Sequence, residues 1–327
     1  MLMHPSLLLF YLSLMISIFL VISANSWFVV WVGLEMNLIF FIPLMLMKNN
    51  KYSNEAGIKY FLVQAFASIL IISSVLFLSE GFMLMEYILL SGLFLKMGSA
   101  PFHQWLPSLV EGLSWGCLTV LFVLQKISPL LLVSFLFKDN LSYNLIYMVI
   151  VVSSLIGSIG GLMSVSLRKI MAYSSISHMS WILIMMLLSN FGWMSYYLIY
   201  CLVLMCVLDV FNKSTIYSIN QLMLTSIKVR IFSGISLLSL GGLPPFTGFL
   251  PKFMVTIMLL QNELYFIFFA LLGGTFLSLF FYMRLVLVSV VLSSKNLLLM
   301  KMSMKKEGML ELNVVGLNIL GLFFLVL

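Results

Sequence analysis

The chain has 327 residues, of which 63% are hydrophobic and 8% are charged, with a net charge of +7 and a mean hydropathy of +1.18. This composition excludes a soluble globular protein and is typical of an integral membrane protein. The predicted connections between apolar segments are short and leave no room for a soluble catalytic domain.

Apolar segments of about 20 residues, the length that crosses a bilayer as a helix, predict an all-α protein with about eleven transmembrane helices. The fourth and the ninth are predicted to be broken, because proline and glycine interrupt them. In chain order the predicted spans are 5–24, 27–47, 58–79, 82–115, 116–137, 142–163, 170–189, 192–212, 228–261, 264–292 and 308–327.

The two predicted breaks carry the same sequence pattern. Residues 98–107 and 242–251 both read G-x-x-P-F-x-x-(W/F)-L-P, with Lys96 before the first copy and Lys252 after the second. The broken spans are the fourth and the ninth. Because that separation is odd, the second copy enters the membrane from the opposite face. The pattern therefore predicts inverted repeats, as in many secondary transporters.

This symmetry predicts three regions along the chain. Residues 1–140 hold the first antiporter-like repeat, with spans 1–5. Residues 141–292 hold the second, inverted repeat, with spans 6–10. Residues 293–327 add a lysine-rich linker and a C-terminal span outside the symmetry.

The basic residues predict the orientation of the chain. The predicted loops on the N-terminal side of the membrane hold almost all of the basic loop residues, and the loops on the other side hold only Lys138. An asymmetry of this kind sets membrane topology. No basic surface interleaved with aromatic residues supports nucleic-acid binding. The loops on the N-terminal side hold Lys48, Lys51, Lys59, Arg168, Lys169, Lys213, Lys228, Arg230, Lys295, Lys301, Lys305 and Lys306.

Four charged residues are predicted to lie near the middle of the membrane: Glu35, Lys96, Lys126 and Lys252. Each such charge costs roughly 2.5–3.5 kcal/mol on insertion scales, so the four are candidates for a proton path. The alternative is that they form structural pairs that hold helices together. The helix dipole favours a cation at Lys96, which ends a half-helix, and disfavours one at Lys252, which begins one.

Other residues add candidates or exclude sites. His103 in the first break and His178 among serines are candidate proton relays, because imidazole titrates near neutral pH; each is alternatively a structural hydrogen-bond donor. Arg284 either anchors a helix end, contacts lipid or takes part in transport. The three cysteines form no C-x-x-C pair, and no nucleotide or metal motif is present. The chain is therefore predicted to bind no metal and no redox cofactor.

The order of these motifs resembles one known family. The chain is similar over nearly its whole length to subunit 2 of mitochondrial NADH:ubiquinone oxidoreductase, respiratory complex I, especially in arthropod-like invertebrate versions, and more distantly to Mrp-type antiporter subunits. Gln104, where an aromatic residue is common, is a minor departure. The motifs that carry the resemblance are Gly33-Leu-Glu35-Met-Asn37, 96–105, Gln125-Lys126-Ile-Ser-Pro129, 167–178 and 240–252.

The resemblance implies a proton-translocating, antiporter-like core subunit of the complex I membrane arm, which couples NADH-to-ubiquinone electron transfer to proton pumping. In that family Glu35 and Lys96 correspond to the charged pair where protons enter, Lys126 to the central lysine and Lys252 to the terminal lysine. Two alternatives remain at this stage: a freestanding cation/proton antiporter subunit, and a structural spacer of the membrane arm.

The resemblance also implies partners and a location. NADH, FMN, iron–sulfur clusters and ubiquinone are expected in other subunits. Neighbouring membrane-arm subunits, including subunit 4 and subunit 4L, are the expected partners, and cardiolipin is a candidate lipid. The expected location is the mitochondrial inner membrane, with the basic loops facing the matrix.

Overall fold

The computed structural model describes residues 5–47, 50–78, 84–136 and 143–290, and these residues form helices joined by short turns, without a β-strand among them. The chain divides into two compact units, Met1–Val149 and Ile150–Leu327. The predicted linker at 293–307 and the predicted span at 308–327 lie outside the described residues.

The first unit contains seven helices and the start of an eighth within the described residues. Its helices are α1 (Pro5–Ser23), α2 (Trp27–Leu46), α3 (Lys51–Leu78), α4 (Leu84–Met97), α5 (Trp105–Val110), α6 (Trp115–Thr119), α7 (Gln125–Leu136) and the first turns of α8 (Tyr143–Met163). A π-helical turn, Val120–Leu124, joins α6 to α7. The sequence pattern did not predict this turn.

The second unit begins within α8, and its last described helix ends at Val290. Its further helices are α9 (Leu167–Leu188), α10 (Gly192–Ser214), α11 (Ile219–Met223), α12 (Ile227–Gly241), α13 (Phe249–Gln261) and α14 (Tyr265–Val290). α11 is a short helix that the sequence pattern did not predict.

Seven continuous helical segments of the described part are long and apolar enough to cross a membrane. Most predicted spans coincide with these helices to within a few residues. The third was placed wrongly: α3 begins at Lys51 rather than at residue 58, so Lys51 and Lys59 lie on a helix and not in a loop. The seven segments are Trp27–Leu46, Lys51–Phe77, Trp115–Leu136, Tyr143–Met163, Leu167–Leu188, Gly192–Ser214 and Tyr265–Ser289.

Both predicted breaks are present. The first separates α4 from α5 at residues 98–104, and the second separates α12 from α13 at residues 242–248. Gly98 and Gly242 leave their helices in the left-handed region, with φ of +70° and +78°. Glycine adopts this conformation without the steric penalty that a side chain brings. Each break also contains a cis X-Pro bond.

Two loops of the second unit contact each other. The backbone of Ser166 pairs with that of Ser218, and the Leu167 amide donates to the Tyr217 carbonyl oxygen at 3.1 Å. The Arg168 guanidinium lies over the Tyr217 ring at 4.1 Å. The positive charge distribution predicted these loops on the same side of the membrane, and their contact agrees with that topology.

Candidate functional site

Lys96 lies at the end of α4, where the first break begins. Neutral groups donate hydrogen bonds to the last carbonyl oxygens of this helix. The Ser99 backbone amide donates to the Phe94 carbonyl oxygen at 3.2 Å, and the Trp105 indole donates to that of Leu95 at 3.1 Å. The Gln64 side-chain amide donates to the Lys96 carbonyl oxygen at 3.4 Å. The Lys96 side chain is buried, with 8% of its surface exposed. A cation at this helix end is favoured by the helix dipole, as the sequence predicted.

Glu35 is half-buried on α2 and interacts electrostatically with Lys96 and with the Tyr60 hydroxyl. Within the described residues Glu35 and Lys96 do not meet as a direct ion pair. The predicted pair is therefore a pair of charges at a distance. A change in the charge of one residue of such a pair changes the electrostatic energy of the other, and no hydrogen bond between the two has to break first.

A buried polar network links the helices around this pair. The Tyr60 hydroxyl donates to the Gln125 side-chain oxygen at 3.1 Å, and the Gln125 amide donates to the Asn37 side-chain oxygen at 2.8 Å. Asn37 lies two residues after Glu35, and Gln125 directly precedes Lys126. The sequence motifs predicted no role for these three residues, although a polar side chain inside an apolar span is a usable signal.

Lys126 is almost completely buried, with 2% of its surface exposed. Its amine lies 5.9 Å from the centre of the Phe122 ring, which belongs to the π-helical turn before α7. Turns of this kind occur frequently at functional sites, because one extra residue rotates the side chains that follow. The local geometry thus sets the direction in which Lys126 leaves its helix.

Replacing Gln125 by leucine is expected to destabilise the first unit by about 1–3 kcal/mol, because the buried Asn37 and Tyr60 side chains lose their shared partner. Thermal unfolding of the detergent-solubilised protein measures the effect. Gln261→Leu is the matched control, since Gln261 is exposed at the end of α13. Equal losses in the two variants would contradict an energetic role for the network.

Lys252 lies in the first turn of α13 and is buried, with 8% of its surface exposed. Its amine donates to the carbonyl oxygens of Gly241 at 2.7 Å and Leu240 at 3.4 Å. We call this amine and its two carbonyl acceptors the Lys252 site. From the sequence, only the dipole of α13 could be taken into account, and it disfavours a cation at its N-terminal end. The structure adds a second contribution, because the side chain reaches back to the C-terminal end of α12, where a cation is favoured.

Gly242 leaves room for the lysine side chain. A Cβ added at Gly242 would lie 2.8 Å from the Lys252 Cδ atom, closer than non-bonded carbon atoms approach. Lys252 also lines a cavity of about 310 Å³ whose wall includes Trp181, Thr256 and Thr275. Much of the wall is apolar, so the space beside Lys252 is largely apolar.

The two candidate histidines differ in burial and in their hydrogen-bond partners. His178 is buried on α9 and its Nδ1 lies 3.1 Å from the Tyr196 hydroxyl. His103 is partly exposed in the first break, and its Nδ1 lies 3.3 Å from the Pro101 carbonyl oxygen. A carbonyl oxygen only accepts, so this contact requires the His103 tautomer that carries a proton on Nδ1.

Two arginines of the second unit bind the ends of helices. Arg284 donates to the Leu162 carbonyl oxygen at 2.9 Å and to that of Ser164 at 3.1 Å, at the end of α8. Arg230 donates to the Ser289 carbonyl oxygen at 3.2 Å. Of the roles considered for Arg284, the contacts favour anchoring a helix end. Arg230 was predicted in a loop, which was wrong, because it lies buried in the first turn of α12.

The described residues contain no group of three or more His, Cys, Asp or Glu side chains arranged to hold a metal ion. The charged candidates fall into two sets. Glu35, Lys96 and Lys126 lie in the first unit with the polar network, and Lys252 and His178 lie in the second.

Comparison with known proteins gives one consistent result. Residues 24–81 and 74–278 match the family described as NADH:quinone oxidoreductase/Mrp antiporter, transmembrane. Proteins named NADH-ubiquinone oxidoreductase chain 2 are similar over most of the chain. The one from Anopheles gambiae is 42% identical over 85% of this chain and 84% of its own length. That from Aedes aegypti is 38% identical over 98% of each.

Solved structures share the fold. A chain of respiratory complex I from Thermus thermophilus aligns with a TM-score of 0.80 at 20% identity, over 88% of this chain and 71% of that one. A chain of the Mrp complex from Dietzia sp. aligns with a TM-score of 0.76 at 17% identity, over 85% of this chain and 59% of that one. At these identities the likeness shows the fold alone.

Proposed function

We propose, on the premise that this chain belongs to the NADH-ubiquinone oxidoreductase chain 2 family of antiporter-like membrane proteins, that it translocates protons as a core subunit of the respiratory complex I membrane arm. The family resemblance predicted from the order of the motifs is confirmed. A member of this family is a multi-pass membrane subunit of a respiratory NADH dehydrogenase.

One observation carries the proposal: both helix breaks bring a buried lysine to the C-terminal end of their first half-helix. Lys96 ends α4, and the Lys252 amine reaches the end of α12. At the Lys252 site the hydrogen-bond acceptors are neutral carbonyl groups. An amine held in this way can release a proton without leaving a buried carboxylate unpaired, whereas breaking a buried ion pair costs about 3–5 kcal/mol.

The proposed mechanism is electrostatic coupling along the buried charges. Quinone chemistry in another subunit changes the charge near Glu35 and so changes its interaction with Lys96. That change alters the affinity of Lys126, and then of Lys252, for protons. Moving one charge against the membrane potential requires about 2.3 kcal/mol per 100 mV. Interactions between charges a few ångströms apart in a protein are of this size.

The equivalence of the two breaks supports a finer description of the architecture. We propose eleven transmembrane helices in two inverted five-helix repeats, at 1–140 and 141–292, with the linker and last span at 293–327 outside the symmetry. The positive charge of the loops supports an orientation in which they face the mitochondrial matrix from the inner membrane.

The partners follow from the same premise. We propose contacts with other membrane-arm subunits, including subunit 4 and subunit 4L, and with cardiolipin, whose anionic headgroup suits the basic loops. NADH, FMN, iron–sulfur clusters and ubiquinone are proposed to be bound by other subunits of the complex, with none held by this chain.

The match to a family whose description includes Mrp antiporters leaves one alternative, a freestanding cation/proton antiporter subunit. Reconstitution in liposomes decides between the two functions. The purified complex is expected to acidify the vesicle interior when NADH and ubiquinone are supplied, and the chain alone is expected to exchange no cation for protons. Cation/proton exchange by the chain alone would overturn the proposal in favour of the antiporter.

A further inference from the structure

The cavity beside Lys252 is a groove between α13 and α14, which we call the α13–α14 groove. Its lining residues recur along each helix at intervals that place them on one face. These faces extend over about 12 Å of α13 and about 16 Å of α14, at 1.5 Å per residue. The lining residues that define them are Lys252, Thr256 and Leu260 on α13, and Phe268, Leu272 and Leu279 on α14.

The Lys252 amine lies at one end of the α13–α14 groove. Gly241 and Gly242 line the same cavity, and the amine donates to the Gly241 carbonyl oxygen. A Cβ added at Gly242 would lie 2.8 Å from Lys252 Cδ and 3.2 Å from Cε. The hydroxyls of Thr256 and Thr275 donate to carbonyl oxygens of their own helices. The groove therefore combines one charged end with a largely apolar length.

The positive charge of Lys252 has no carboxylate partner within the described part of the chain. Lys96 has the same exposed fraction, 8%, but interacts electrostatically with Glu35. An ammonium group has three N–H donors. Among the described residues the Lys252 amine uses two of them, on backbone carbonyl groups. Because a buried charge is costly unless it is paired, an anion bound at this end of the groove would be stabilising.

Part of the rim of the α13–α14 groove is exposed at the surface of the chain. The exposed fractions of Phe253, Leu260 and Leu272 are 45%, 47% and 37%. All three side chains are apolar, and α14 is long and apolar enough to cross a membrane. A molecule dissolved in the bilayer therefore reaches the groove without passing through water.

The size and the entrance of the groove favour a carboxylic acid with one acyl chain over a phospholipid. A volume of about 310 Å³ is at the lower end of the range for small-molecule sites, so it suits one chain better than two chains with a large headgroup. An apolar medium favours the neutral form of a carboxylic acid. Such an acid enters from the bilayer uncharged, whereas a phosphate diester carries its charge with it.

We propose that the α13–α14 groove binds a long-chain fatty acid, with the carboxylate at the Lys252 amine and the acyl chain between the two helices. The acid enters neutral, its O–H bond breaks, and the proton forms a new N–H bond on the unprotonated amine. A carboxylate bonded to an ammonium group results. Occupancy holds Lys252 in its protonated form and so inhibits pumping. This inhibition rests on the proposed function, whereas binding can be measured without it.

The test uses the assembled complex in lipid nanodiscs and a palmitic acid that carries a photoreactive diazirine in its chain. Illumination is expected to attach this probe to α13 or α14. Unlabelled palmitic acid is expected to compete roughly 10-fold better than its methyl ester, which has the same chain without the acid. A hydrogen bond between charged groups contributes about this factor.

Two variants test the two ends of the groove. Lys252→Met is expected to weaken labelling of these helices roughly 10-fold, because it removes the charge. Leu272→Trp keeps the charge and fills the groove from its exposed rim, so it is expected to reduce labelling and stays informative if Lys252→Met does not assemble. Phe266→Trp is its matched control, since Phe266 is exposed on α14 and does not line the groove.

Three results would overturn the fatty-acid site: no labelling of α13 or α14, labelling that neither variant reduces, or equal competition by palmitic acid and its methyl ester. NADH-driven pumping by the same preparations separates this proposal from the proposed function. A Lys252→Met complex that loses the label but pumps at the wild-type rate would contradict the role of Lys252 in pumping and leave the binding site intact.

Discussion

Replacing Lys126 by methionine is expected to slow proton pumping through this chain roughly 100-fold or more, while the complex still assembles. Lys126 has 2% of its surface exposed, and methionine has a similar length and shape without the charge. Because methionine fills the same buried volume without the charge, a variant that assembles separates loss of the proton site from loss of the fold. NADH-driven acidification of vesicles measures the rate, and native electrophoresis measures assembly.

Lys59→Met is the matched control for this experiment. Lys59 is an exposed lysine that pairs with Glu55 one turn earlier on α3. An exposed pair of this kind contributes about 0.3–0.5 kcal/mol, so its loss should change neither assembly nor pumping. Unimpaired pumping by assembled Lys126→Met would exclude the central role of that lysine.

Gly248→Ala is expected to destabilise the second unit by about 3 kcal/mol or more, at or above the upper end for overpacking. Gly248 crosses the end of α12, and an added Cβ would overlap the Ser239 carbonyl oxygen. Because that atom is backbone, the two half-helices must separate to make room. Separation also moves the α12 carbonyl groups away from the Lys252 amine, so we expect pumping to fall with stability. Thermal unfolding of the solubilised complex measures the first effect.

The control for this prediction is Gly273→Ala on α14. A Cβ at Gly273 meets no atom within 4 Å, so alanine fits without a clash. Alanine in a helix interior is favoured over glycine by about 0.5–1 kcal/mol, so this variant should unfold at the wild-type temperature or above it. Equal destabilisation by the two substitutions would show that the tight crossing at Gly248 does not matter.

Much of the fold could be predicted from the sequence, because apolar runs of membrane length and the Gly/Pro pattern are local signals. They located both breaks, at 98–104 and 242–248. The start of α3 was missed because its first turns are polar. The π-helical turn before Lys126 has an apolar sequence, Val120–Leu124, that is equally compatible with a regular α-helix.

The charged residues of the candidate site could be predicted from the sequence, but the contacts that these residues and their neighbours make could not. Glu35, Lys96, Lys126 and Lys252 are conspicuous because charge is rare in apolar spans. The bond between Gln125 and Asn37 joins residues 88 positions apart, and no local pattern predicts it. The contact of Lys252 with the end of α12 was not predictable for the same reason, since its side chain binds a helix other than its own.

The most direct measurement of the central claim is the number of protons translocated per NADH oxidised by the assembled complex. It is made with Glu35→Gln, Lys96→Met, Lys126→Met and Lys252→Met, each introduced alone. We predict a lower ratio than wild type for every variant, because each removes one member of the buried line of charges. A wild-type ratio in all four assembled variants would contradict a proton-translocating role and leave the chain as a structural spacer of the membrane arm.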